Sequence, residues 1–162
     1  MSAKNKLEKQ LNRANISEKD FEEALEYLNP YQKYQFNINN KALLVAGIIS
    51  YSRPFTNNKG DIDKASNVLS VNLNKAYTGD ELSLHYKIIS YRNEAIAHSD
   101  FKRRPTRLTK SDSNGFVTMS KAFDIQSEFI DIEMFKAICK KMKKYCTEKM
   151  FELNRKYIRV VD

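Results

Sequence analysis

The chain has 162 residues, 41% hydrophobic and 11% aromatic, with only four Gly and three Pro. That is enough apolar mass for one core without staples, and it excludes a disordered tract, a collagen-like strand and a glycine-rich solenoid. Lys and Arg number 28 against 20 Asp and Glu, a formal +8, which favours solubility and encounters with polyanions but sets no specificity.

The longest strongly apolar run, Ala42 to Ile49, covers eight residues, against the roughly 20 that a bilayer crossing needs. The first twenty residues carry charges throughout and contain no apolar h-region, unlike a signal peptide. The expectation is one cytoplasmic domain over 1–162, its core about 15–157, with no membrane association.

In chain order, a basic lead-in precedes Ser17 and Asp20, which are spaced like a capping box with Asp in place of Glu. Phe21, Ala24, Leu25 and Leu28 follow at helical spacing, and Asn29-Pro30 closes the element. A second helix is predicted from about Phe36 to Ser52, apolar on all sides and so central, ended by Arg53-Pro54. A short helix is expected within 62–76. A third long helix begins near Thr78 to Asp80 and runs through the stretch to Asp100. Residues 101–123 contain a turn signal between two short β-compatible stretches, which predicts a small hairpin or a long loop. The last helix is expected over roughly Asp131 to Tyr157, with an apolar stripe from Phe135 to Tyr157 amid a lysine-rich, solvated face. The fold class is therefore all-α: an up-and-down bundle of four to five helices.

Cys139 and Cys146 lie seven apart in one predicted helix, roughly 10 Å along its axis, and cannot bond to each other there. With two Cys and two His there is no strong zinc set. No metal and no cofactor is expected.

The third helix carries the odd feature. At about 100° per residue, Arg92 and His85 stand at the centre of an arc formed by Leu82, Ile88, Ile89, Ala95 and Ile96. A guanidinium aimed at a core must be paired or must line a cavity. Pairing with Asp20 or Glu23 of the first helix is the bland expectation; a polar groove or a two-fold interface is the functional one. His85 reads as a satisfied core histidine before a cleft residue. His98 falls beside Tyr91, away from the arc, near a point where the helix ends or tightens. Tyr31, Tyr34 and Phe36 cluster between the first two helices, where packing of the bundle end is a stronger expectation than base stacking.

The stretch "YRNEAIAHSD", Tyr91 to Asp100, resembles the motif of the HEPN superfamily, an Arg followed by a polar residue and then a His after four to six intervening positions. Here these are Arg92, Asn93 and, after five, His98; the Ala97-His98-Ser99-Asp100 ending is similar to an antiphage-related HEPN-like branch. The resemblance implies metal-independent RNA cleavage at the cleft of a homodimer, with Arg92, Asn93 and His98 as catalytic residues and a separate antitoxin or regulatory protein as a further partner. A His near its ordinary pKa suits proton transfer at a 2′-hydroxyl or a 5′-oxygen, and an Arg suits a phosphate. Lys102, Arg103, Arg104 and Arg107 would then supply affinity for the RNA backbone. His85, Tyr91 and Asp100 are candidates for the cleft wall. The alternative is a HEPN-like module that binds RNA, a nucleotide or a protein without turnover.

Overall fold

In the computed structural model, which describes residues 3–56, 68–96, 106–110, 116–120 and 124–161, helix α1 runs unbroken over Ala3–Leu28. Pro30 follows two residues later and cannot continue it. Ser17 and Asp20 thus lie inside a helix rather than at its start. The Ser17 hydroxyl donates to the Arg13 carbonyl at 2.8 Å, the back-bond of a mid-helix serine rather than a cap.

Helix α2 spans Ile38–Ser52, and its N-cap Asn37 accepts from the Asn40 amide at 2.8 Å. It gives way to a 3₁₀ turn at Arg53–Phe55, with Pro54 in the first turn, where its missing N–H costs nothing. Of the range 62–76, where a helix is expected, residues 68–76 are described and contain one turn, α3, Leu73–Ala76; residues 57–67 lie outside the described residues. Helix α4, Gly79–Ser90, opens on a complete capping box. The Thr78 amide donates to Glu81 Oε2 at 2.7 Å, and the Glu81 amide returns to Thr78 Oγ1.

The hairpin expected in 101–123 is present. Strands β1, Thr106–Lys110, and β2, Phe116–Ser120, pair antiparallel from Thr106↔Ser120 to Lys110↔Phe116. A 3₁₀ turn at Ile125–Ser127 leads to α5, Ile132–Val161. Asp131 caps α5 by accepting from the Met134 amide at 3.0 Å.

The four long helices form an up-and-down bundle. Tyr157 donates to Glu8 at 2.8 Å and Lys143 reaches Glu22 at 2.6 Å, so α1 and α5 run antiparallel along most of their length. Ser50 donates to Glu23 at 3.0 Å, which sets α2 antiparallel to α1. Lys141 to Glu81, 2.6 Å, and Lys87 to the Phe129 carbonyl, 2.6 Å, set α4 against α5. Phe21 and Leu28 of α1, Ile48 and Tyr51 of α2, Ile88 of α4 and Phe135, Ile138 and Met142 of α5 are completely buried between them. Each such side chain is worth about 1.5–3 kcal/mol in transfer alone.

One detail departs from the expected picture. The α5 lysines are not simply a solvated face, since Lys141 and Lys143 cross to carboxylates of α4 and α1 and pin the helices together. Gly47 lets α2 approach the end of α1, because a Cβ there would stand 3.0 Å from Leu28 Cγ. Cys139 and Cys146 are both buried and free, and burial pushes both thiols up, Cys146 to about 12. Among the described residues no helix is long and apolar enough to cross a membrane.

Candidate functional site

The motif begins where α4 changes pitch. The α-helix ends at Ser90, and Tyr91–Ile96 continues as a π-helix, a wider turn that occurs mainly as short interruptions, frequently at functional sites. The helix therefore widens seven residues before His98, where an end or a tightening was expected near His98 itself.

The wheel is also rotated from its expected setting. Leu84, His85, Ile88 and Tyr91 are the buried residues, while Leu82 and Ile89 are only half-buried. At about 100° per residue the core face is centred close to Ile88, roughly 50° from Arg92. Arg92 thus sits on the shoulder of the packed face and is half-buried, not central. Its Nη1 donates to Asn93 Oδ1 at 2.9 Å, so the first two motif residues are in direct contact. Tyr91, expected away from the arc, is 1% exposed, and its hydroxyl donates to Glu128 Oε2 at 2.6 Å.

The carboxylates expected to pair with Arg92 serve other arginines. Arg53 contacts Glu23 directly and Asp20 at 3.4 Å, and Arg13 lies 4.0 Å from Asp20. Burial raises the Asp20 carboxyl, against the opposing pull of Arg53 and Arg13. Burial acts the same way on Glu23, but Ser50 and Arg53 outweigh it and hold Glu23 below its ordinary value. This cluster ties the α2 terminus to the middle of α1 and stands apart from the motif.

His85 is 2% exposed and belongs to the core. Its Nδ1 lies 2.8 Å from the Tyr51 hydroxyl, which lies 2.9 Å from the Tyr77 hydroxyl. Phe55 packs edge-on against the imidazole at 4.6 Å between ring centres. Burial alone lowers the His85 pKa to about 4, so the ring is neutral at pH 7. Tyr51 and Tyr77 are pushed up, chiefly by burial. The histidine is satisfied by one phenol in a ring of aromatics, and it does not front an open cleft.

His98, Asp100, Lys102, Arg103 and Arg104 lie outside the described residues. Arg107 is placed only by its backbone, opposite Met119 in the hairpin. Among the described residues no cluster of His, Cys, Asp and Glu has the composition to hold a metal ion.

At the α1–α2 end, the expectation of packing fails for two of three aromatics. Tyr34 and Phe36 are exposed, while Tyr31 is half-buried. Phe129, which sequence reasoning did not single out, joins them beside a cleft of about 160 Å³. Its position before α5 carried no periodic signal. One wall of that cleft, the segment that carries Phe129, is tied to the motif helix, because Glu128 receives the Tyr91 hydroxyl and the Phe129 carbonyl receives Lys87.

No protein-family model, curated protein or solved structure matches this chain. The class it defines rests on its own architecture: an all-α up-and-down bundle with a two-stranded hairpin between the fourth and fifth helices.

Proposed function

We propose that this chain is a HEPN-like, metal-independent endoribonuclease that acts as a homodimer. Arg92 clamps the scissile phosphate, Asn93 fixes the guanidinium, and His98 moves the proton. The RNA 2′-oxygen attacks phosphorus, the bond to the 5′-oxygen breaks, and a 2′,3′-cyclic phosphate and a 5′-hydroxyl result. Lys102, Arg103, Arg104 and Arg107 bind the backbone. The observation that carries this reading is the 2.9 Å contact of Arg92 with Asn93 on a half-buried shoulder of the motif helix, at its π-helical turn. A guanidinium steadied by a neutral amide keeps its charge for a phosphate, which a carboxylate partner would compensate. A separate antitoxin or regulatory protein is a further proposed partner, and the cytoplasm the proposed location.

The test is purified protein with a mixed RNA pool in EDTA, followed by end-group analysis. His98→Ala should lower cleavage by about 10²-fold or more while leaving RNA affinity and folding near wild type, and DNA should remain intact. Sedimentation equilibrium should report a dimer. Equal background rates for wild type and His98→Ala would remove the enzyme reading. The second reading, RNA binding without turnover, is favoured by the exposed aromatics at the α1–α2 end, which bind without needing any proton transfer.

A further inference from the structure

Three large rings share one open spot at the α1–α2 end. Tyr34 is 82% exposed, Phe36 69% and Phe129 71%, a concentration that marks an interaction site rather than ordinary scatter of apolar side chains. The loop that bears two of them is built to hold its shape. Asn40 is buried, and its side-chain amide donates to the Gln32 carbonyl at 2.6 Å and the Gln35 carbonyl at 2.7 Å. Its Oδ1 accepts from the Gln32 amide at 2.9 Å. Gln126 Nε2 donates to the Gln35 carbonyl at 3.0 Å, which locks the loop to the segment carrying Phe129. A buried, fully engaged asparagine thus organises a loop whose aromatic side chains are left in water.

Lys33 supplies the cation at this spot, in the same cleft lining as the Glu128 carboxylate. The Lys33 ammonium stands 4.9 Å from the Phe129 ring centre and 5.8 Å from that of Tyr34. The nearby acids are engaged, Glu128 by the Tyr91 hydroxyl and Asp124 by Lys41 at 2.9 Å. The cleft between the two loops, about 160 Å³, is smaller than the roughly 300 Å³ or more of a drug-sized pocket. It suits one planar ring entering from the open side. Aromatic faces combined with a lysine are the means by which proteins bind unpaired bases and their phosphates.

We propose that this cleft seats one unpaired base of a single-stranded RNA, stacked on Phe36 or Phe129, with Lys33 at the adjoining phosphate. The proposal rests on the RNA reading above and names where the strand is gripped beside the motif helix.

The probe is a fluorescently labelled 2′-O-methyl oligouridine, which cannot be cut by 2′-hydroxyl attack, compared with an abasic backbone of the same length and charge. Wild type should prefer the base-bearing strand. Phe36→Ala, Phe129→Ala or both should weaken its binding by about 5- to 150-fold, the worth of one stacked base, and neither should affect the abasic strand. Both side chains are exposed, so circular dichroism should match wild type. Equal binding of the two strands by wild type, or unchanged affinity in both variants, overturns the proposal. So does a loss of dimer in sedimentation with RNA binding intact, which would assign the rings to a contact between copies. Base-dependent binding without any cleavage of unmodified RNA would sink the nuclease reading and leave this site standing.

Discussion

Acid should destabilise the protein through His85, and the amount follows from its surroundings. Its pKa is lowered to about 4 by burial, whereas an unfolded chain holds histidine near 6.5. Above pH 6.5 the ring is neutral in both states and the group contributes no pH dependence. Below that, the unfolded chain takes up a proton that the folded core refuses, so stability falls with pH until the folded ring titrates near 4. Linkage gives a loss of about 2 kcal/mol between pH 7 and pH 5, and about 3 kcal/mol by pH 4. Other groups also titrate in this window, so the assay is a difference. Urea unfolding at pH 7, 6, 5 and 4 is compared for wild type and His85→Phe, a substitution that keeps an aromatic ring but cannot protonate. The variant should be less stable at pH 7, because Tyr51 loses its 2.8 Å partner and a bulkier ring enters a packed site. Its deficit should shrink by about 2 kcal/mol on going to pH 5. A deficit constant across the series would show that His85 titrates alike in both states, and the account of a desolvated core imidazole would fail.

Two further outcomes test the packing. Gly47→Ala should destabilise by about 1 kcal/mol despite the gain in helix propensity, since the new Cβ meets the completely buried Leu28 at 3.0 Å; a raised urea midpoint would mean that Leu28 yields at no cost. Arg53→Ala should cost about 1–3 kcal/mol, mostly by stranding the part-buried Asp20, left with Arg13 at 4.0 Å; replacing Asp20 by Asn in the same background should recover part of the loss, and no recovery would contradict that cause.

What the sequence made legible is what periodicity encodes. The α5 stripe is buried where expected at Phe135, Ile138, Cys139, Met142, Cys146 and Leu153, because a long amphipathic pattern leaves little freedom of face. The α4 start was readable because Thr78 and Glu81 satisfy each other locally. Ser17 and Asp20 had the same local signature but no helix start, since α1 already runs from Ala3 and makes Ser17 an interior position. The π-helical turn left no trace in the pattern, which reads on smoothly to Ile96. Arg92 was misplaced because Leu82 and Ile89, apolar but only half-buried, pulled the expected arc toward it. The Tyr77–Tyr51–His85 chain joins residues 26 and 34 positions apart, and such convergence is a product of the bundle, not of any local spacing. Phe36 and Phe129 were hidden by the general rule that aromatics pack, a rule with no term for what a loop leaves outside.

The pairing of α1 with α5 has a consequence during synthesis. Glu8 and Tyr157, joined by a hydrogen bond, are 149 positions apart, and α5 supplies the wall against which Phe21, Tyr51 and Ile88 close. At a ribosomal rate of roughly 5–20 residues per second, these 162 residues take on the order of ten to thirty seconds to be made. Until α5 emerges the three earlier long helices hold an open apolar trough, and α5 is the element that fills it. Chaperone contact with the nascent protein should therefore persist until α5 clears the exit tunnel and then end abruptly.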